Sequence, residues 1–455
     1  MTDRAAIPAF EQPALFAADT PDAAVTALGP RRRRAAAGAK HGARVRTPRR
    51  DQQVWARIDL DAAVAEDDPV RSIWALLQGM DLSALYLPIE ARDEIAGAPA
   101  IDPALLLALW IYATSEGEGS ARELGRLTEL HTSYRWLCGG VAVGYHTLSD
   151  FRSRRGDDFD ALLTQVLAML MQQGLVDLHS VAQDGTRVRA SAGASSFRRT
   201  ATLATLMQEA RAHLDAVTRA AADPAISVRR AAARCRGAAD RLARIEAALA
   251  QVAEVEATKQ RSRAKDPTVR VSTTDPDARV MKMGDGGFRP AFNLQFATTT
   301  DAARVIVGVT AINRGSDMGQ STPMLAQIVA RTGVCPAELL VDGGYTQHDA
   351  IDAAAAQQVT VLAPVPRPRL GDTRDPHVAR DGDSDAVARW RVRMGTDDAK
   401  QRYKQRAATA ETVNADAKTH RGLDHLPLRG VAKALGCATL FALTYDILRF
   451  ITLRG

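Results

Sequence analysis

Three acidic residues stand where their side chains could hold metal ions. Asp184 and Asp342 each end a short apolar, β-like run and are followed by glycine, and Glu411 lies in a later helical run. A few carboxylates that hold two hard cations about 4 Å apart can activate a water or a sugar hydroxyl and stabilise the leaving oxygen of a phosphodiester. Asp184, Asp342 and Glu411 are therefore candidate catalytic and metal-binding residues.

Each acid also has an ordinary structural interpretation. An Asp before Gly at a strand end is a common turn, and a single Glu in a helix is most often a surface residue. The neighbours of Glu411 favour function, because Asn414 and Lys418 follow it at i+3 and i+7 on one helix face. A carboxylate and an ammonium two turns apart do not form a simple ion pair, but both can contact a metal-bound phosphate.

The acids must be positioned by the elements around them. Short runs of apolar and β-branched residues predict five strands, and helical spacing predicts two helices between the later strands. This order predicts an α/β fold with a mixed sheet, in which ligands gather at the carboxyl ends of strands. The predicted strands are 179–184, 291–298, 305–312, 337–342 and 360–365, and the two helices are 318–331 and 348–358.

Other parts of the chain are predicted to be helical. Residues 51–178 form a small all-α domain with helices at 69–77, 103–114, 120–136 and 147–174. Within the catalytic domain, 179–455, an Ala- and Arg-rich stretch at 198–268 predicts an inserted helical hairpin. After a long loop at 364–392, a helical run at 396–418 carries Glu411, and 431–453 forms an apolar closing helix.

The excess positive charge is concentrated at the N-terminus. The whole chain has 59 − 53 = +6, and residues 1–50 alone have ten Lys and Arg against four Asp and Glu, or 10 − 4 = +6. Their Ala, Pro and Arg content predicts a disordered basic arm, which is either attracted to polyanions or simply solvated.

Four further arginines are candidates for contacts with DNA phosphates. Arg152, Arg154 and Arg155 lie in the first two turns of the predicted helix 147–174, where they could follow a DNA backbone. Arg187 lies just beyond Asp184 on the strand face of Arg189. A solvated surface is the alternative interpretation for all four.

The cysteines and the apolar segments indicate which cellular compartment the protein occupies and whether it binds a membrane. The four cysteines have no CxxC or Cys/His spacing, so neither a zinc site nor a disulfide framework is predicted, and a reducing cytoplasm fits best. The apolar stretch 434–445 is too short to span a bilayer and is flanked by Lys433 and Asp446. No membrane is expected among the partners.

From about Trp55 to Ile451 the chain resembles bacterial insertion-sequence transposases of the DDE class, in the group related to insertion sequences four, five and 1182. In that group the third acid lies in a Tyr-x2-Arg-x3-Glu-x6-Lys pattern. The motifs that carry the resemblance are RWLCGG and HTLSDFR in the helical region, QDGTRVRASA and VDGGY around the first two acids, DPDARVMK, and YKQRAATAETVNADAKTHRG around the third.

The resemblance implies an RNase H-like catalytic domain, Mg²⁺ as cofactor with Mn²⁺ able to substitute, and excision and integration of an element bounded by inverted repeats. DNA, as terminal repeats and as target, is the implied partner, and the helical domain 51–178 is expected to be a DNA-binding domain that acts with the basic arm. The implied assembly on DNA is a homodimer or larger. The resemblance also implies that Asp184, Asp342 and Glu411 are the metal ligands, and that Tyr403, Arg406 and Lys418 contact DNA.

One departure from the pattern concerns Arg406. Four residues rather than three separate it from Glu411, which places the two side chains about 140° apart on an ideal α-helix. Two other functions stay open at this point. The chain could be an RNase H-like nuclease that cuts DNA without joining it, or a non-catalytic DNA-binding relic or repressor.

Overall fold

The computed structural model describes residues 58–91, 98–223, 226–261, 267–366 and 373–454. The basic arm predicted at 1–50 lies outside these residues. From Asp59 onward the chain forms one compact unit. It is a mixed α/β structure with a helical N-terminal region and a mixed sheet.

The N-terminal region is helical, as predicted. Asp68 and Asp102 cap the first long helices with their carboxylates, and each is followed by proline at the first helical position. Two of the predicted helices are divided, at His131, whose backbone is extended, and at Arg155. The helices are α1 (Pro69–Gln78), α2 (Ser83–Tyr86), α3 (Pro103–Ser115), α4 (Ala121–Leu130), α5 (Thr132–Cys138), α6 (Tyr145–Arg154) and α7 (Gly156–Gln172).

A six-stranded mixed sheet forms the centre of the rest of the chain. Its strands are β1 (Ser180–Arg189), β4 (Arg279–Lys282), β5 (Phe288–Thr299), β6 (Ile306–Ile312), β7 (Glu338–Leu340) and β8 (Thr360–Leu362). Their order is β4-β5-β1-β7-β8, and β6 pairs with the same edge of β5 as β4 does. β1 is antiparallel to β5 and parallel to β7, which is parallel to β8.

The first strand is longer than predicted, so Asp184 does not end it. The Asp184–Gly185 pair is a turn motif, but β5 pairs with β1 from Val181 to Arg189 and holds the segment extended. Pairing with a long neighbour outweighs local turn preference. The parallel neighbour β7 pairs with β1 only as far as Ala182. Asp184 therefore lies just beyond the last parallel pair.

The insertion follows the first strand and is helical, as its spacing predicted. Helices α8 (Thr200–Ala220) and α9 (Val228–Ala250) pack against each other, and a third helix, α10 (Val252–Arg261), follows them. Two short strands that the sequence did not predict, β2 (Phe197–Arg199) and β3 (Arg270–Ser272), pair at its base. They return the chain to the main sheet, where β4 is a third unpredicted strand.

The later segments are mainly helical, and one of them corrects a prediction. The loop expected at 364–392 contains the start of a helix, where Ser384 caps the first turn and Val387 and Trp390 are buried. Proline and charge around this segment hid its amphipathic pattern. The helices are α11 (Ser321–Thr332), α12 (His348–Ala356), α13 (Asp385–Gly395), α14 (Asp397–Tyr403), α15 (Thr412–Thr419) and α16 (Val431–Arg454), and Ala407–Glu411 forms a π-helical turn between α14 and α15.

The closing helix α16 lies in the interior. By length and composition it could cross a membrane, but most of its apolar stretch is buried within the protein. It packs against α3, α7, β5 and β6. One hydrophobic cluster therefore includes the N-terminal helices, the sheet and α16, with Trp110, Phe159, Phe296 and Phe441 among its largest members.

Asp446 of α16 is a buried carboxyl group in this core. One carboxylate oxygen accepts the backbone N–H of Ile306 at 2.8 Å, and the other has no hydrogen-bond partner among the residues that the structure describes. Burial raises the pKa of Asp446 well above its ordinary value, and nearby Arg331 and Arg449 only partly oppose this. The folded chain therefore keeps a proton that the unfolded chain loses.

We expect Asp446→Asn to flatten the pH dependence of stability. Because the folded pKa is above the unfolded one, the free energy of unfolding falls as pH rises from about 4 to the folded pKa, by up to about 1.4 kcal/mol per pH unit. Asparagine is always neutral and keeps the acceptor for Ile306. Urea unfolding at a series of pH values measures the difference between the two proteins, and parallel curves would refute this account of Asp446.

Candidate active site

Asp184 and Asp342 lie on neighbouring segments, where the parallel pairing of β1 with β7 ends. The last parallel pair is Ala182 with Leu340, so each aspartate lies two residues beyond it on neighbouring segments. The carboxylate of Asp342 accepts the backbone N–H of Gly344 at 2.7 Å. Burial raises the pKa of Asp184, and the charge of Asp342 adds to this, while Arg406 opposes it. The structure thus brings the first two predicted acids together.

Arg406 joins the third acid to the first. Its guanidinium lies 2.9 Å from Asp184 Oδ1 and 3.1 Å from Glu411 Oε1. Arg406 is buried, whereas the Glu411 side chain is 58% exposed. The α-helical estimate of about 140° between Arg406 and Glu411 is therefore wrong for this segment.

The π-helical turn explains the difference. Ala407–Glu411 lies between Arg406 and α15, and π-helical hydrogen bonds run from residue i to i+5 instead of i+4. Residues five apart therefore face the same way. The one-residue departure from the pattern is absorbed by the wider turn, and the Arg–Glu contact is kept.

Asn414 is a site residue that the sequence had only placed on the face of Glu411. Its amide donates to Asp184 Oδ2 at 3.0 Å, while the backbone N–H of Gly185 donates to Asp184 Oδ1 at 2.9 Å. With Arg406 also bonded to Oδ1, both oxygens of this carboxylate are held. The i+3 spacing from Glu411 was the signal that could have identified Asn414.

Lys418 and Tyr403 lie at the margin of the same cluster. Burial lowers the pKa of Lys418, and the nearby charge of Arg187 lowers it further, while Asp184 acts in the opposite direction. Burial raises the pKa of Tyr403, which lies close enough to Arg406 and the three acids to feel their charges. Both predicted residues therefore lie next to the acids.

A second network of polar side chains lies beside β1, the strand that carries Asp184. Asp317 Oδ1 accepts the amides of Asn293 at 2.7 Å and Gln295 at 2.6 Å, and the hydroxyl of Tyr345 donates to Gln295. Arg187 donates to the carbonyl of Gly315 at 2.7 Å and lies 3.7 Å from Asp317. The network ties β5 to the segment that follows Asp342. Sequence reasoning missed Asp317, because a single Asp in a loop gives no spacing to detect.

Of the three arginines predicted at the start of one helix, Arg152 is placed differently from the others. Arg152 is buried, donates to the carbonyl of Gly119 at 2.6 Å and lies 4.0 Å from the ring centre of Trp110. The prediction that Arg152 contacts DNA is therefore wrong, because its guanidinium is used inside the fold. Arg154 and Arg155 pair with Asp150 and Asp158 at 3.4 and 3.2 Å.

The chemistry of the cluster suits a hard divalent cation. Its three acids offer only oxygen donors, which Mg²⁺ and Mn²⁺ prefer, and the guanidinium of Arg406 already places one positive charge beside two of them. Among the described residues, no three His, Cys, Asp or Glu side chains are grouped closely enough to hold an ion. For the carboxylates of Asp184 and Glu411 to bind a metal ion together, the guanidinium of Arg406 would have to leave its position between them.

Comparison with known proteins adds matches at both ends of the described chain. Residues 58–154 match a transposase domain, DUF772, and residues 372–451 match a transposase DDE domain. The second match includes Glu411, Arg406 and Lys418. No curated protein and no solved structure matches the chain. The resemblance to insertion-sequence transposases of the DDE class is thereby confirmed, without a distinction between insertion-sequence groups.

Proposed function

We propose that this chain, which matches a transposase domain and a transposase DDE domain, cleaves DNA strands at transposon ends and joins them to target DNA. The observation that carries the proposal is that Arg406 pairs with both Asp184 and Glu411, while Asp342 lies on the segment next to Asp184, although the three acids are far apart in the sequence. We further propose that the mixed sheet is an RNase H-like catalytic core with the helices of the insertion added to it.

In the proposed mechanism the three carboxylates hold the metal ions. Bound Mg²⁺ or Mn²⁺ would supply Lewis acidity that activates a water or a 3′-hydroxyl and stabilises the leaving oxygen. Asn414 holds the Asp184 carboxylate in one orientation through Oδ2. In the metal-free chain Arg406 offsets the repulsion among the acids, and once released its guanidinium is free to bind a phosphate.

DNA would be held by cations around this centre, together with the neutral hydroxyl of Tyr403. Lys418 and Tyr403 lie beside the acids, and Arg187 lies near Lys418. Arg154 is 74% exposed, and its pairing with Asp150 across one helical turn is weak enough to yield to a phosphate. Together with Arg155 and the basic arm, these cations would hold terminal repeats and target DNA, with a homodimer or larger assembly pairing two ends in the bacterial cytoplasm, at the nucleoid.

A joining assay tests the proposal against its alternatives. The substrate is a pre-cleaved DNA end taken from the inverted repeats that flank the reading frame, incubated with Mg²⁺ and a supercoiled plasmid. We expect the end to become covalently joined to the plasmid. An otherwise identical end with a 3′-dideoxy terminus is the control and should give no joined product, because it lacks the attacking hydroxyl.

The alternatives give different products in the same assay. A nuclease without joining activity would nick or hydrolyse uncleaved ends and yield no joined plasmid. A non-catalytic relic would bind the ends in the same way with and without Mg²⁺ and leave them intact. Either result would refute the transposase proposal.

A further inference from the structure

A cavity at the base of the insertion is lined mainly by arginine. Its volume is about 400 Å³. Arg241 and Arg244 come from α9, while Arg198 lies in β2 and Arg429 lies just before α16. The hydroxyls of Thr273 and Thr274 add further hydrogen-bonding groups to the wall. The cavity thus joins the insertion to the main body of the fold.

The part of the fold that the structure describes offers these four guanidinium groups no ion-pair partner. Across the described part of the chain, none of Arg198, Arg241, Arg244 and Arg429 has an ion pair or a side-chain hydrogen bond. The nearby carboxylates of Asp275 and Asp277 accept the backbone N–H groups of Gly430 and Val431 at 3.2 and 3.0 Å and form no ion pair with these four arginines. Converging cations without partners repel one another and attract anions.

The chemistry of the cavity selects phosphate among anions. Guanidinium is a planar donor whose paired N–H groups match phosphate oxygens, and charge-assisted bonds of this kind are among the strongest hydrogen bonds in proteins. The threonine hydroxyls can donate to the same oxygens. A carboxylate ligand would have too few oxygens to use four arginines.

The positive surface continues along α9 beyond the cavity. Arg230 and Arg234 are exposed, have no ion pair among the described residues, and fall with Arg241 and Arg244 within about 80° of the helix circumference. This arginine stripe spans about 21 Å from residue 230 to residue 244. One strand of duplex DNA presents a phosphate about every 3.4 Å, so the stripe has the length of about six phosphates. An extended polyanion fits it better than a small ligand.

We propose that the arginine cavity and the arginine stripe bind the phosphate backbone of DNA at a place separate from the acid cluster. The inference rests on the proposed function, because the DNA would be the substrate of that activity. It adds that the insertion, and not only the helical N-terminal region, holds the substrate. Since phosphate contacts are independent of base sequence, the site would act on any duplex.

The test compares two charge-matched variants of the full chain. Arg241→Gln/Arg244→Gln removes two cavity arginines, and Arg229→Gln/Arg236→Gln removes two exposed arginines that lie outside the stripe, about 60° and 80° round α9 from its nearest member. Fluorescence anisotropy measures the affinity for a non-specific duplex of about 30 base pairs over a range of salt concentrations, in EDTA.

We expect the cavity variant to reduce the slope of log affinity against log salt concentration by about 2, and to bind about tenfold more weakly near 0.1 M salt. The control variant should change the slope by clearly less than 1. Equal changes in both variants would show a general charge effect and overturn the site, as would a cavity variant that binds like the native chain.

A small phosphorylated ligand is a separate outcome. If inorganic pyrophosphate raises the melting temperature of the native chain but not that of the cavity variant, while both bind DNA equally, the DNA site is refuted. Because binding is measured without metal, failure of cleavage or joining would leave the result intact. Normal joining activity with an unchanged salt slope would refute only the site.

Discussion

Replacing Asp184, Asp342 or Glu411 with Ala is expected to lower strand cleavage in Mg²⁺ by at least about 10³-fold in each case, because loss of a metal ligand removes several kcal/mol of transition-state stabilisation. Arg406 pairs with Asp184 and Glu411, and Asp342 lies close enough for its charge to act on Arg406, so the three acids belong to one region of the fold. Binding of transposon ends should survive, because the proposed phosphate contacts lie on other side chains.

The matched control is Asp397→Ala, which removes a carboxylate from the helical run that carries Glu411. Its side chain is fully exposed and lies outside the cluster, so cleavage should stay within about twofold of the native rate. Cleavage is measured with labelled end DNA and the binding of ends by gel shift. Unchanged cleavage by all three cluster variants would remove the basis for the catalytic assignment.

The second large effect is expected from Gly185→Ala, which adds one methyl group behind Asp184. That carbon would lie 2.3 Å from Gln295 Nε2 and 2.4 Å from Asp317 Oδ1, far inside van der Waals contact. These side chains cannot simply move aside, because Gln295 is buried and is bonded at 2.6 Å to Asp317, which is itself partly buried. Overpacking costs about 1–3 kcal/mol, which outweighs the roughly 0.5–1 kcal/mol that alanine gains over glycine in a strand.

We therefore expect Gly185→Ala to lower the free energy of unfolding by about 1–2 kcal/mol and to slow cleavage by about ten- to a hundredfold, because Asp184 is displaced with the strand. Gly343→Ala is the control, since Gly343 follows Asp342 as Gly185 follows Asp184 but has open space around its added carbon. Urea unfolding and the cleavage assay measure both effects. Equal behaviour of the two variants would contradict the role given to the Asp317 network.

The sequence predicted the parts of the fold that depend on local pattern. Helical spacing located the N-terminal helices, the insertion and the closing helix, and apolar runs located the core strands. It failed where distant pairing decides the structure, as in the extension of β1 past Gly185, which β5 enforces. The short strands β2 and β3 were missed for the same reason, since each is stabilised by the other.

The candidate site shows the same division. The three acids could be proposed from motifs, but Asn414 and Asp317 gain their roles only from contacts across the fold. The burial of Arg152 against Trp110 was also beyond sequence reasoning, because an arginine near a helix start has the same local pattern whether it faces solvent or the core. The local sequence pattern therefore indicates candidate site residues, and contacts between distant segments determine what each of them does.

The π-helical turn at Ala407–Glu411 bears on how this protein is related to others. A residue inserted into a continuous α-helix would rotate everything after it by about 100°, and Glu411 would then turn away from Arg406. Here the added residue is confined to one wide turn, and the contact is kept at 3.1 Å. One more residue between the arginine and the glutamate therefore does not break their contact, so a comparison of this chain with similar chains should match the side chains that meet rather than the number of residues between them.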